Sequence, residues 1–161
     1  KFYLDLGPYR KTAAQDSNPF TPAVNLYFAL ESALGMMQSE GLEAIFDRHA
    51  RHRAAAQAGM KAICLPLYAA EGHGSPAITA VAPEGVDAEQ LRKTVKEKFD
   101  ILLAGGQDHL KGKVFRIGHL GFVCDRDILT AIAAIESTLQ SLGLHKGNMG
   151  DGLAAAAAIL R

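Results

Sequence analysis

Apolar positions in the first third of the chain recur at helical spacing and predict two consecutive helices. The first begins at Thr21, a favourable N-cap followed by Pro22 at the first helical position, and ends at Gly41. The second follows at once from Leu42 and runs to about Lys61. The pattern therefore predicts a helical pair at the start of the chain.

After Pro66 the pattern changes to short apolar runs that alternate with helical segments. The predicted strands are Ala77–Ala82, Ile101–Ala104 and Val114–Leu120. Asp87 is the expected N-cap of a helix after the first strand, with Gln90 three residues on as in a capping box. Asp125 is the expected cap of a longer helix that ends at Gly143, and the tail GNMGDGLAAAAAIL reads as a closing helix.

This order of elements predicts the fold class. The second and third strands are joined by the short loop GGQDHLKGK, which favours a small sheet that is at least partly antiparallel. Helices on one face of such a sheet make an α+β arrangement, not a doubly wound parallel sheet. The other face of the sheet is then left bare.

Arg116 is expected to lie on this bare face of the sheet. In the run KVFRIGHLG, alternation along a strand puts Phe115 and Ile117 on the face toward the helices and Arg116 on the opposite face. An arginine held among apolar residues needs an anionic partner. That partner is either a neighbouring acid at a sheet edge or the carboxylate of a ligand, and strand alternation leaves both interpretations open.

Composition and charge narrow the class of partner. The 161 residues are 48% hydrophobic and 21% charged with a formal net charge of zero, which indicates one ordinary domain and argues against nucleic-acid or membrane-surface binding. No apolar run reaches the length of a membrane span, and the start KFYLDLGPYR lacks the apolar core of a signal peptide. The default expectation is a cytoplasmic protein.

Other candidate chemistry is weaker. Cys64 and Cys124 lie far apart among apolar residues, which favours packing over a zinc site, an iron-sulfur centre or a disulfide. His109 and His119 are interpreted as packing or hydrogen-bonding residues. The basic run RHARHR, Arg48 to Arg53, is interpreted as a solvated helical face balancing nearby acids and not as an anion site.

Two segments carry a resemblance to a known family. NPFTPAVNLYFALESALGMMQSEGLEAIFDRH resembles the segment that follows the cofactor lysine in class V aminotransferases, and GKVFRIGHLG resembles the strand by which these enzymes bind the substrate carboxylate. The similarity runs from FYLDL to MGDGLAAAAAIL and is nearest to serine-glyoxylate and alanine-glyoxylate aminotransferases. AGGQDHLKGKVFRIGHLGFVCDRDIL also resembles the branch named as soluble hydrogenase small, tritium-exchange subunits.

The resemblance implies a fold-type I homodimer dependent on pyridoxal 5'-phosphate. Residues 1–40 would be linking helices from a large cofactor domain, and residues 41–161 the C-terminal small α+β domain, whose bare face meets that large domain. Arg116 would hold the α-carboxylate of amino-acid and keto-acid substrates, since its planar fork gives two parallel hydrogen bonds. Thr21 would approach the cofactor phosphate, although Phe20 stands where some relatives carry a hydroxyl.

The lysine that would form the Schiff base has no counterpart in this chain. In the family it lies upstream of FYLDL, and none of the lysines here has a matching context. Because the chain begins at Lys1 and not at a methionine, we expect a piece of a longer protein, inactive without its large domain. The alternative hypothesis, from another functional class, is a non-catalytic subunit of a soluble hydrogenase-type complex that kept the aminotransferase scaffold.

Overall fold

The structure is a computed structural model that describes residues 2–161. In it the chain folds as two units, with the boundary between Leu42 and Glu43. Lys1, on which the expectation of a longer protein was based, lies outside the described residues. The first unit contains a short 3-10 helix, Phe2–Leu4, and two α-helices, α1 (Leu6–Ala13) and α2 (Val24–Glu40). The assignment of 1–40 to linking helices and 41–161 to a small domain stays a prediction.

Helix α2 begins later than predicted. Its N-cap is Ala23, which has no capping side chain, so the prediction of Thr21 as N-cap was wrong. The physical reason is a turn at the proline: the Val24 N–H donates to the Pro22 carbonyl at 2.9 Å, before the helical pattern starts. The predicted end at Gly41 is confirmed, where φ of +88° suits a residue without a side chain.

Helix α2 is apolar on every side, and none of its residues is buried. Its exposed large side chains are Val24, Leu26, Tyr27, Phe28, Leu30, Leu34, Met36 and Met37. A helix that is hydrophobic all round normally lies inside a larger protein. Elsewhere in the first unit the apolar contacts are aromatic, and the rings of Phe2, Tyr3 and Tyr9 surround Phe20 with centroids 4.8–5.9 Å from its ring.

The second unit contains the predicted small sheet. Its elements are α3 (Leu42–Ala62), which begins at the boundary, β1 (Ile78–Val81), α4 (Ala88–Phe99), β2 (Ala104–Gly105), a 3-10 helix (Asp108–Leu110), β3 (Phe115–Gly118), α5 (Asp125–Ser141) and α6 (Asp151–Leu160). The strand order is β1-β3-β2, and both pairings are antiparallel. The α+β class, the order of elements and the closing helix are confirmed.

The second strand lies further along the chain than predicted. The run Ile101–Ala104 was expected to form it, but β2 is only Ala104–Gly105. Leu103 is buried in the core, and its carbonyl accepts from the Arg92 Nε at 2.7 Å instead of from a strand neighbour. A side chain of α4 therefore replaces a sheet hydrogen bond at this point.

The core lies on one face of the sheet, as predicted. Phe115 and Ile117 point into it and are almost completely buried. All four helices of the unit contribute apolar side chains to the same cluster: Ala55, Ala56 and Met60 from α3, Leu91 and Val95 from α4, Ile128, Ile132, Ile135 and Leu139 from α5, and Ala156 and Leu160 from α6. The helices are thus gathered on one side of the sheet.

The two predicted aspartate caps have different outcomes. Asp87 caps α4, accepting from the Glu89 N–H at 2.8 Å. Asp125 does not cap α5, because the N-cap is Cys124, whose N–H donates to Asp127 Oδ2 at 2.9 Å. Asp125 is the first helical residue instead.

Glu136 is a buried carboxylate at the centre of this unit. It lies on α5 with 1% of its surface exposed, and it accepts from the N–H groups of Gly150, Gly152 and Leu153 at 3.1 Å each. These donors form the first turn of α6, whose N-cap Gly150 has no side chain to satisfy them. Glu136 therefore supplies the cap of α6 from another helix.

The cysteines are not packing residues, so that expectation was wrong: Cys64 and Cys124 are both exposed. Over residues 2–161 no group of three histidine, cysteine or acidic side chains is arranged as metal ligands. Among those same residues, no helix has the length and apolar character needed to cross a bilayer.

Candidate functional site

Arg116 occupies the middle of the central strand, on the face opposite the core. In the register of the sheet it lies between Ala80 of β1 and Ala104 of β2. Paired residues of antiparallel strands project to the same side, so the arginine has a methyl group on each flank. Two positions along, a side chain added at Gly118 would meet nothing within 4 Å. Only small side chains therefore surround Arg116 on this face of the sheet, and the space above it is open.

The Arg116 side chain is oriented by one hydrogen bond, from its Nε to the Gly105 carbonyl at 3.1 Å. No acidic side chain among the described residues forms an ion pair with it, and β3 is the central strand, not an edge. The interpretation of Arg116 as one half of a structural ion pair is therefore not supported by the described residues. The two terminal nitrogens of the half-buried guanidinium remain available to a carboxylate ligand.

Gly105 is held in place by a second arginine that sequence reasoning missed. Arg92 donates to the Leu103 carbonyl and pairs with Glu89 at 2.8 Å, and a side chain at Gly105 would clash with both partners of this pair. The carbonyl that orients Arg116 is therefore fixed by α4. Only the hydrogen bond from Arg92 to the backbone of Leu103, eleven residues later, reveals this role.

Thr21 lies in the first unit, three residues before α2, and is exposed. Its hydroxyl makes no hydrogen bond within the part of the chain that the structure describes. Since it does not cap the helix, it is free to donate to an anion such as a phosphate oxygen. Thr21 and Arg116 thus lie in different units, and their roles as phosphate donor and carboxylate clamp stay predictions.

The two histidines near the arginine strand differ in environment. His109 is exposed in the 3-10 helix, whereas His119 is fully buried and its Nε2 lies 3.0 Å from the Thr79 hydroxyl. Burial lowers the pKa of His119 from 6.5 to about 4, and the positive charge of Arg53 adds to the effect. His119 is therefore a neutral packing residue at pH 7, as predicted.

We expect His119 to make stability fall on acidification. Between pH 6.5 and about 4 the unfolded chain binds a proton at this ring that the folded chain excludes, so the free energy of unfolding decreases as pH falls through that window. The loss amounts to about 3 kcal/mol over the whole window. Urea denaturation of wild type and His119→Gln at pH 7.5 and 4.5 measures it, since the variant lacks this contribution. The same change at exposed His109 serves as control, and equal pH dependence in wild type and His119→Gln would contradict the assignment.

The basic run on α3 is not a solvated face, and that interpretation was wrong. His52 is fully buried with its Nε2 2.8 Å from Asp125 Oδ1, and Arg51 donates to the same oxygen at 3.0 Å. Arg48 and His49 bond the backbone at Gly121. The run thus fastens α3 to the segment between β3 and α5.

Comparisons with known proteins place this arrangement in a family. No protein-family profile matches the chain. It is 64% identical over 160 residues to a soluble hydrogenase small subunit of Synechococcus and 36% identical over 163 residues to a serine-glyoxylate aminotransferase of Methylorubrum extorquens. These matches cover 99% and 100% of the chain but only 42% and 40% of the relatives. The chain therefore spans about two fifths of the length of these curated relatives.

A solved structure gives the same result for the fold. The ureidoglycine-glyoxylate aminotransferase of Bacillus subtilis superposes with a TM-score of 0.90 at 31% identity, over 99% of this chain and 42% of that one. The expected family, fold and partial coverage are thereby confirmed. The chain belongs to the class V, pyridoxal-phosphate-dependent aminotransferases, in the branch with soluble hydrogenase small subunits and glyoxylate aminotransferases, and corresponds to a C-terminal portion of these proteins.

Proposed function

We propose that this chain is the substrate-carboxylate half of an aminotransferase that moves an amino group from a serine- or alanine-like donor to a keto acid such as glyoxylate. The observation that carries the proposal is Arg116: it is oriented by Gly105, flanked by alanines and without an acidic partner among residues 2–161. The names of the relatives support the reaction class.

The chemistry of Arg116 suits this role. A guanidinium whose Nε is already bonded presents its two terminal N–H groups side by side, which matches the two oxygens of a carboxylate. Two parallel hydrogen bonds fix the direction of the amino acid as well as its position, and a lysine would supply charge without that geometry. The amino donor and the keto acceptor each carry an α-carboxylate, so one arginine can bind the substrate in both halves of the reaction.

The cofactor would be held mainly by protein outside this chain. Pyridoxal phosphate, when bound, supplies the electron sink for the reaction. Thr21 is this chain's candidate for a contact to its phosphate. The covalent attachment would require a lysine in the large domain. The large domain and this chain together would make one subunit of a homodimer.

The activity test compares two proteins. One is the 161-residue chain, and the other is the whole gene product that contains it, each mixed with pyridoxal phosphate, serine and glyoxylate. We expect glycine to form only with the gene product. Borohydride reduction should likewise fix cofactor stoichiometrically on one lysine of the gene product and on none of the 161-residue chain. A specific adduct on the short chain would overturn the proposal.

The hydrogenase name of a close relative supports a second candidate, a non-catalytic subunit of a soluble hydrogenase complex. The same preparations distinguish the two. Absence of transamination by the gene product, together with its co-purification with a hydrogen-oxidising activity, would favour this candidate.

A further inference from the structure

Two arginines donate to one short stretch of backbone at β2, an edge strand of the sheet. The Gly105 carbonyl accepts from Arg116 Nε at 3.1 Å, and the Leu103 carbonyl accepts from Arg92 Nε at 2.7 Å. Two residues span at most roughly 7 Å of chain, so these two carbonyls are close neighbours. The guanidinium groups of Arg92 and Arg116 therefore converge on the same edge, one from helix α4 and the other from strand β3.

Glu89 is the acidic side chain at this edge. Both of its carboxylate oxygens accept from Arg92 Nη1 at 2.8 Å. A side chain built on Gly105 would clash with Arg92 Nη1 and would lie 2.8 Å from Glu89 Oε1. Gly105 thus has Glu89 beside its α-carbon and Arg116 on its carbonyl oxygen. A single residue separates the carboxylate from the Arg116 guanidinium.

A carboxylate this close is a potential competitor for Arg116. Arginine binds any carboxylate through the same two parallel hydrogen bonds, whether it belongs to a substrate or to the protein. In the structure Glu89 is engaged by Arg92, which lies one helical turn further along α4, and no ion pair joins Glu89 to Arg116. The three side chains together carry one net positive charge, and Arg116 holds the guanidinium that no acid neutralises within residues 2–161.

We propose that Arg92 is a positioning residue for the substrate carboxylate, which keeps Glu89 engaged and so leaves Arg116 available to the substrate. The inference rests on the proposed function. Loss of Arg92 would release Glu89 beside Gly105, and its carboxylate would then pair with Arg116 in place of the α-carboxylate of the amino donor. The glycine at position 105 has a matching role, because a side chain there would separate Arg92 from Glu89.

The test uses the cofactor-loaded gene product with Arg92→Met. Methionine keeps an unbranched apolar stem of the kind that Arg92 packs against the protein, but it has no donor for Glu89. KM for the amino donor should rise roughly 5- to 20-fold with kcat unchanged, because the substrate must displace an internal carboxylate. Arg92→Gln, an uncharged polar variant, takes its place with the same expectation if Arg92→Met does not fold.

The double variant Glu89→Gln/Arg92→Met distinguishes competition from a structural role. It lacks the competing charge, so KM should return to within about threefold of wild type. Arg92→Lys keeps a cation beside Glu89 and should likewise stay within about threefold. A merely structural role for Arg92 predicts that the double variant is at least as impaired as Arg92→Met, and that result would overturn the inference.

The matched control is Lys93→Met. Lys93 is the next residue of α4, with 75% of its side chain exposed and its nearest acid, Glu97, 3.9 Å away. We expect its KM and kcat to equal those of wild type. A rise in KM as large as that of Arg92→Met would show that any lost charge on α4 has this effect, which contradicts a specific role for Arg92.

A second readout does not depend on activity. A crystal structure of the Arg92→Met gene product should place a Glu89 oxygen within about 4 Å of an Arg116 nitrogen, the limit of an ion pair. If Arg116→Lys raises KM but Arg92→Met changes neither KM nor the position of Glu89, the inference fails while the proposed function stands. If Arg116→Lys leaves KM unchanged, the proposed function fails, and with it the role of Arg92 in substrate binding.

Discussion

Replacing Arg116 with lysine in the cofactor-loaded gene product should raise KM for the amino donor roughly 10- to 100-fold, the size expected when a charged, two-point hydrogen bond is lost. Lysine keeps the positive charge but not the fork, and it cannot bond the Gly105 carbonyl and both carboxylate oxygens in the same geometry. The keto acid should be affected to a similar extent. Steady-state kinetics with both substrates varied measures the effect.

The control is Arg126→Lys. This arginine lies on α5 with 85% of its side chain exposed and its nearest acid, Asp127, 3.8 Å away. We expect the kinetics of this variant to match wild type. An unchanged KM in Arg116→Lys would remove Arg116 from the carboxylate site, whatever the activity of the protein.

Replacing Glu136 with leucine should lower the free energy of unfolding by about 3–5 kcal/mol, the cost of leaving buried partners of a carboxylate unpaired. Three N–H groups at the start of α6 lose their acceptor, and His145, whose Nε2 lies 3.5 Å from the carboxylate, loses its neighbour. Urea denaturation followed by circular dichroism measures the change.

Glu136→Gln keeps one acceptor oxygen and should cost less than the leucine variant. It also gives a measurable value if the leucine variant does not fold. Glu97→Leu is the matched control on α4, where the carboxylate is 62% exposed and 3.9 Å from Lys93, and it should change stability by no more than about 0.5 kcal/mol. Equal stability of Glu136→Leu and the control would show that α6 needs no cap from α5.

Much of the fold could be predicted because its helices are strongly periodic. The buried stripe Ile128, Ile132, Ile135 and Leu139 and the bare-face position of Arg116 both follow from spacing alone. The prediction failed where a contact with another element, or a local turn, overrides the preference of a segment. Ile101–Ala104 has the apolar character of a strand, but Arg92 occupies the Leu103 carbonyl. Thr21 has the chemistry of a cap, but the turn at Pro22 delays the helix.

The candidate site was only half predictable for the same reason. Arg116 was found from alternation, whereas the carbonyl that orients it and the histidine that holds Gly121 depend on pairs 11 and 72 residues apart. No local pattern marks such pairs. Glu136 likewise reads as an ordinary polar position in a helix, and only its three backbone partners reveal its role.

The two alanines beside Arg116 bear on how this family can change over evolutionary time. Ala80 and Ala104 contribute almost nothing to the core, so a stability criterion would tolerate many residues at either position. If the substrate reaches Arg116 by passing over these two alanines, a valine or leucine at either position would block its access without disturbing the fold. Larger residues at these two positions would then end substrate binding while Arg116 and the fold are retained. A relative that keeps the fold for a non-catalytic role is therefore expected to show substitutions at positions 80 and 104 before it loses the arginine.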